Sequence, residues 1–198
     1  MKAISTERLV LRPIDLKDAP DLFAIRSLPE VHKHIFSGPW ESVEKAQEWI
    51  QNIKDGPRSF MYTIRPKRQL DEDHDGGEMI VGVIGLNRWD QVHFMYDPKV
   101  ASRGYATEAL TAFLVALFEL QPKRLSIGTL VGSDNAASIN VLEKCGFVPD
   151  VPQTLRYEPQ SAEISEEEEL NALQGIGYVP TGDSYSLFFI YPKPGLAE

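Results

Sequence analysis

Residues 101–110, ASRGYATEAL, set an arginine and a glycine directly before an amphipathic helix. Gly104 has no Cβ and lets a ligand approach the backbone closely, and the first amides of the helix have no acceptors within it. Those amides point beyond the helix tip, where the macrodipole adds partial positive charge and Arg103 adds a full one. The chemistry that suits this arrangement is the cradling of phosphates without a dedicated lysine loop. A glycine ahead of a helix is often a plain cap, so the turn alone decides nothing. About one helix and one strand later comes SDNAASINVLEKCGF, residues 133–147, which opens on capping residues and closes on a glycine and an aromatic that start another strand. Two such segments at this separation point to a phosphate-bearing cofactor.

Periodicity identifies the elements that must hold these segments. Residues 7–14 (ERLVLRPI) alternate as a strand does, and Asp15 caps a helix carrying Leu22, Phe23 and Ile25. Residues 41–53 place Val43, Ala46, Trp49, Ile50 and Ile53 at helical spacing after the Gly38-Pro39 break. Residues 59–65 and 79–87 read as consecutive strands joined by a charged, exposed connection, and residues 91–96 as a further strand stopped by Asp97 and Pro98. The helix beginning at Gly104 carries Ala106, Ala109, Leu110, Phe113, Leu114 and Leu117 on one face. Residues 124–131 form a strand, residues 135–144 a helix ending at Gly146 as a left-handed cap, Phe147 opens a sixth strand and residues 184–192 (SYSLFFIYP) a closing one. Residues 158–180 form an acidic loop insertion with a short helix at most. Its Glu166–Glu169 run is read as a solvated helix start rather than a metal cluster or a docking site.

The chain has 198 residues, 42% hydrophobic and 25% charged, which suits one sizeable core and is short for two, so a single domain over residues 1–198 is expected. No apolar run is long enough to span a bilayer and the first residues lack a signal-peptide block. The expectation is a soluble cytoplasmic protein with no membrane partner, the nucleus not being excluded. Cys145, the single cysteine, has no partner for a disulfide or a metal site, and it packs as a small apolar residue at a helix end. The net charge is −9, and residues 150–198 carry nine acidic against two basic residues. That balance disfavours nucleic acid and favours a cationic partner.

The order strand, two helices, three strands, helix, strand, helix, two strands, with RGYATEAL after the fourth strand and NAASINVLEKCGF after the fifth, resembles the GNAT N-acetyltransferase superfamily over nearly the whole chain. TERLVLRPIDLKDAPDLFAI, ESVEKAQEWI and DNAASINVLEKCGFV look like the branch of the Rim-type ribosomal-protein alanine acetyltransferases and their small-amine relatives. The resemblance implies an α/β (α+β) fold, a single GNAT-like domain whose mixed, mostly antiparallel sheet of about seven strands is flanked by helices. The fourth and fifth strands would splay apart, with acetyl-CoA in the wedge and the acceptor amine entering from the other side.

The same resemblance assigns residues. The pyrophosphate would rest on the turn Arg103, Gly104, Tyr105, Ala106 and Thr107, largely through backbone amides. The family's turn opens on Gln or Arg where this chain has Ala101, a departure that removes a polar side chain and that Arg103 offsets electrostatically. Backbone groups of Met95 and Tyr96 would pair with the pantetheine amides as an added strand does. Asn135 would bond the pantetheine arm, and Ser138 would stand near the sulfur and protonate the departing thiolate. As plain structure, Asn135 is a helix cap and Ser138 a small packing residue.

Acetyl transfer to an amine needs a neutral nucleophile, a polarised thioester and a proton for the thiolate, and no covalent enzyme intermediate. Relatives often place a carboxylate early on the fourth strand, where this chain has Gln91. His93, two residues on, has an ordinary pKa near ~6.5 that suits a base, and filling the sheet surface is an equal reading. Glu108, His32 and His34 are lesser candidates. No metal is implied. The function expected is transfer of acetyl from acetyl-CoA to a primary amine, on a small molecule or a protein N-terminus, by a monomer or homodimer. The alternative is a CoA-binding regulatory module with little activity, for which Gln91 and Ala101 speak. A nucleotide-binding protein is weaker, because no GxxxxGK[ST] loop is present.

Overall fold

The alternating segments pair as their pattern requires. The structure, a computed structural model, describes residues 1–35, 37–56, 60–67, 79–87, 90–149 and 186–192. Strands β1 (Ile4–Ser5), β2 (Leu9–Pro13), β3 (Phe60–Pro66), β4 (Gly82–Leu86) and β5 (Val92–Tyr96) form one antiparallel sheet in sequential order. Strands β6 (Ser126–Gly132), β7 (Val148–Pro149) and β8 (Ser186–Pro192) form a second, with β8 between β6 and β7. The fourth and fifth strands read from the sequence are thus β5 and β6, because the two-residue β1 adds one to the count. A Thr6 amide bond to the Leu9 carbonyl at 3.0 Å closes the β1–β2 hairpin.

Each face of the five-stranded sheet has its own helical cover. Helix α4 (Tyr105–Leu120) buries Ala109, Leu110, Phe113, Leu114 and Leu117 against Leu9, Leu11, Tyr62, Ile64, Ile84, Leu86 and Val92, and Leu142 of α5 (Ala136–Lys144) joins them. On the other face, α1 (Ala19–Arg26), the single turn α2 (Pro29–His32) and α3 (Val43–Asp55) pack Leu22, Ile25, Val31, Ala46, Ile50 and Ile53 on Met61, Val83 and Met95. Neighbouring residues of β3 and β5 serve opposite faces, as a period of two demands. Burying a side chain of the size of Phe113 or Leu110 contributes about 1.5–3 kcal/mol, so these two layers are what hold the sheet in place.

The caps follow the sequence closely. Asp15 starts a single 3-10 turn, its carboxylate accepting from Lys17 N–H while Asp18 accepts from Asp15 N–H, and α1 follows. Gly146 ends α5 at φ +91, with the Gly146 amide bonded to Glu143 O and the Phe147 amide to Leu142 O, both at 3.0 Å. The acidic insertion at 158–180 lies outside the described residues. So does the segment 68–78 between β3 and β4. Among the described residues no helix is long and apolar enough to cross a membrane.

Candidate active site

The two sheets meet at one place. Gln91 forms a parallel bridge with Gly128, and one step on the Thr129 hydroxyl, on β6, donates to the Val92 carbonyl at 2.8 Å. Beyond Val92 no ladder joins β5 to β6, so the strands part there. The edge that β5 turns to this gap follows from register. Asn87 N–H bonds Gln91 O and Asp97 N–H bonds Val81 O, at 3.0 and 2.9 Å, with Val83 opposite Met95 between them. In an antiparallel ladder this commits the backbone groups of Gln91, His93, Met95 and Asp97 to β4. Those of Phe94 and Tyr96 face the gap. Of the two positions expected to take an added strand, Tyr96 lies on the gap edge beside Phe94, whereas the backbone of Met95 is bonded to β4.

The turn that leads into α4 follows directly on β5, the strand that edges the gap. Val100, 4% exposed, anchors a turn over Pro98–Val100, after which Ser102 at φ +62 and Gly104 at φ +77 swing the chain into α4. The first helical bond runs from Glu108 N–H to Gly104 O at 3.0 Å, so the amides of Gly104, Tyr105, Ala106 and Thr107 precede the ladder and are available to an anion. Arg103 differs from expectation: its amide bonds Val100 O at 3.3 Å, leaving its exposed side chain as the contribution it can make.

A strap missed by sequence reasoning fixes this turn. Arg8 Nη1 donates to the Arg103 carbonyl at 2.8 Å, its Nε donates to Glu108 Oε2 at 2.6 Å, and its guanidinium lies 5.0 Å from the Tyr105 ring centre. Thr6 Oγ1 and Arg8 N–H both donate to Glu108 Oε1. Glu108 thus ties the β1–β2 hairpin to the first turn of α4. Burial works to raise its pKa, but the bonds from Thr6 and Arg8 outweigh it and hold the carboxyl below its usual value. Both Glu108 oxygens already accept from Thr6 and Arg8, so the carboxylate serves as a structural tie and is poorly placed to take a further proton. The available signal was Thr6 and Arg8 at a spacing of two, beside a carboxylate in the first turn of the helix that begins at Gly104.

Helix α5 follows β6, the strand on the other side of the gap, and its end packs on α4. Asn135 is its cap, Oδ1 accepting from Ser138 N–H at 3.1 Å. The cap occupies one oxygen and leaves the amide NH₂ of Asn135 as a donor, so the capping and ligand readings coexist. Ser138 is half-buried, and the cap uses its backbone and not its hydroxyl. The Tyr96 ring lies under α4, with its hydroxyl 3.4 Å from Ala106 O, and burial followed by the neighbouring Cys145 pushes its pKa far up. Cys145 Sγ sits 3.7 Å from Thr111 Oγ1 and 3.6 Å from Thr107 O. Burial raises its thiol pKa, which suits packing and not attack.

His93 faces the opposite way, toward α3, with its ring 6.4 Å from that of Trp49. Desolvation, then the charge of Arg26, push its pKa down to about 4. At that value it is neutral at pH 7 and a weak acceptor for an ammonium proton, a departure from the near-neutral base read from the sequence. The sign of the linkage is definite. The unfolded chain takes up a proton as pH falls below about 6.5 and the folded chain does not until about 4, so stability present above 6.5 is lost over that window. His93→Gln is expected to flatten the fall in Tm between pH 6.5 and 4, and parallel curves for the two proteins would contradict the burial assigned to His93. His34 Nδ1 lies 4.0 Å from Asp134 Oδ2, its pKa lowered by burial against the pull of Asp134, while His32 closes α2. Among the described residues no group of His, Cys, Asp and Glu could hold a metal.

A gap between strands, a helix tip with four available amides and a capped helix beside it can be set against known proteins. The family profile described as "Acetyltransferase (GNAT) domain" matches residues 8–148. The chain belongs to the GNAT acetyltransferase family. An uncharacterised N-acetyltransferase of Bacillus subtilis (strain 168), YoaA, is 32% identical over 154 residues, which is 73% of this chain and 81% of that one. A GNAT-family acetyltransferase from Bacillus anthracis shares the fold with a TM-score of 0.67 at 20% identity, over 96% of this chain and 98% of that one. RimL, a ribosomal L7/L12 α-N-protein acetyltransferase solved with coenzyme A, superposes with a TM-score of 0.61 at 16% identity, over 96% and 98% of the two chains. This GNAT chain is an acyl-CoA-dependent N-acetyltransferase, with acetyl-CoA as cosubstrate. The cosubstrate suits the residues present: the Gly104–Thr107 amides match a pyrophosphate, and the Phe94 and Tyr96 edge matches an amide-bearing arm.

Proposed function

We propose that the protein transfers acetyl from acetyl-CoA to a primary amine, of a small molecule or a protein N-terminus, by direct attack in a ternary complex. The observation that carries this reading is the parting of β5 and β6 just past the Gln91–Gly128 bridge, directly beside the available amides of α4. The turn amides of Gly104, Tyr105, Ala106 and Thr107 hold the pyrophosphate, with the Arg103 side chain adding charge. Phe94 and Tyr96 hold the arm by backbone pairing, helped by the Asn135 amide. Ser138 donates a proton toward the sulfur as the C–S bond breaks. A backbone N–H at the gap edge of β5 polarises the thioester carbonyl.

The proton lost by the ammonium leaves through water, since Glu108 is held in its ion pair and the basicity of His93 is suppressed. Proximity and orientation then carry most of the acceleration, as they do wherever two bound reactants are aligned. The lone thiol and the expected reducing, cytoplasmic setting agree with this chemistry. The acidic residues behind the expectation of a cationic acceptor lie mostly within 150–185, outside the described residues.

Thiol release from acetyl-CoA, measured across a panel of primary amines, tests the proposal. Amine-dependent release is expected. Saturable CoA binding with no release on any amine would support the non-catalytic CoA-binding module instead.

A further inference from the structure

Arg26, the last residue of α1, is 3% exposed, and no Asp or Glu among the described residues pairs with it. Its Nε donates to the Gly38 carbonyl at 2.9 Å and its Nη2 to Ser37 Oγ at 2.6 Å, which uses two of five N–H groups. The guanidinium stands 4.4 Å from the Trp40 ring centre. Burial lowers its pKa, to about 10, and no carboxylate among the described residues opposes the shift. The contrast with Arg65 is informative. Arg65 is 7% exposed, and the fold gives it Asp18 at 2.7 Å. The buried Arg65 has a counter-ion in the scaffold and Arg26 has none among the described residues, although an unpaired buried charge is costly.

Arg26 heads a continuous wall. Trp40 and Trp49 have ring centres 5.2 Å apart, Trp49 and His93 6.4 Å apart, and the Arg26 charge reaches His93. His93 is the neighbour in sequence of Phe94, whose backbone edges the gap. The wall therefore runs from a buried cation to the strand at which acetyl transfer is proposed, on the face away from α4 and α5.

We propose that Arg26 receives a carboxylate of the acceptor, so that the substrate is an amine that also carries a carboxylate, an amino acid or a similar amino-carboxylic compound, with Trp40, Trp49 and His93 packing its apolar part. This rests on the acetyl-transfer reading and narrows its substrate class. It replaces the cationic acceptor expected from net charge, because a site's own buried charge outweighs distant, screened ones. A planar guanidinium with three unused N–H groups matches a carboxylate in two-bond geometry.

The test compares amino acids with the amines that lack only the carboxylate, leucine with isopentylamine and phenylalanine with phenethylamine, and adds spermidine as a polycation. Wild-type kcat/KM is expected to favour the carboxylate-bearing member by about 10- to 100-fold, the range for a charged hydrogen-bonded contact. Arg26→Gln should collapse that ratio toward one, and Arg26→Lys should keep part of it. A wild-type ratio of one or less, or a preference for spermidine, overturns the proposal even if Arg26→Gln does not fold. If no amine yields thiol release, acetyl transfer has failed by itself. Tryptophan fluorescence of the CoA-bound protein then decides the inference: saturable quenching by N-acetyl-leucine sustains the carboxylate site and its absence refutes it.

Discussion

Gly104→Val raises the Kd for acetyl-CoA by about tenfold or more, whereas Ala101→Gln leaves it within about threefold. Gly104 stands at φ +77, a region that costs a β-branched residue about 1–3 kcal/mol. A Cβ there would also lie 3.3 Å from Arg8 Nη2, against the strap that holds the Arg103 carbonyl. Relief of either conflict rotates the peptide units on each side of residue 104, and with them the amides that face the phosphates. Ala101 is exposed in a turn, at an ordinary negative φ of −56, with its amide already bonded to Pro98 O at 2.9 Å, so a new side chain there alters little. Arg8→Ala acts in the same direction with a smaller effect, since it loosens the turn without straining it. Calorimetric titration with acetyl-CoA, beside Tm values to correct for folded fraction, checks the ranking; an Ala101→Gln effect larger than that of Gly104→Val would contradict it.

Ser138→Ala lowers kcat by about 10- to 100-fold and leaves the KM for acetyl-CoA within about threefold, the pattern of a group that acts in the transition state. The structure makes this substitution clean. The α5 cap engages the Ser138 amide and not its hydroxyl, so alanine keeps the bond to Asn135 Oδ1. Ser138→Thr keeps a hydroxyl and should recover part of the rate. Asn135→Ala behaves differently, because it removes both the cap and the amide offered to the arm, and it should cost about 1 kcal/mol of stability as well as affinity. Initial rates at saturating amine separate these outcomes. A kcat for Ser138→Ala within twofold of wild type would show that the thiolate leaves unassisted.

Long periodic elements were readable because burial imposes a pattern on many residues at once. The stripe Ala106, Ala109, Leu110, Phe113, Leu114, Leu117 named the buried face of α4, of which all but the half-buried Ala106 in the first turn are buried, and the alternation in β2 named its inward residues. Strand β1, of two residues, and α2, of four, carry too few positions for any period to appear. Site residues divided along similar lines. Gly104 and Gly146 were legible because both sit at positive φ, where glycine is the favoured residue. The gap-facing edge of Phe94 and Tyr96 was not, since which residues of β5 face the gap depends on pairing with β4, and a shift of one residue reverses the answer. The Arg8–Glu108 strap joins residues a hundred positions apart. Arg26 falls on the buried side of α1 beside Leu22 and Ile25, a placement visible as spacing, but its contacts with Ser37, Gly38 and Trp40, and no carboxylate among the described residues, emerge only from the packed structure.

Backbone amide chemical shifts of the labelled protein on addition of CoA test the central claim, that the gap between β5 and β6 is the cosubstrate site, most directly. The account predicts large shifts at Gly104, Tyr105, Ala106, Thr107, Phe94 and Tyr96, and small ones at His93 and Met95, whose amides stay bonded to β4. Saturable CoA binding that leaves the Gly104–Thr107 amides unmoved, or that shifts His93 and Met95 in preference to Phe94 and Tyr96, would contradict it.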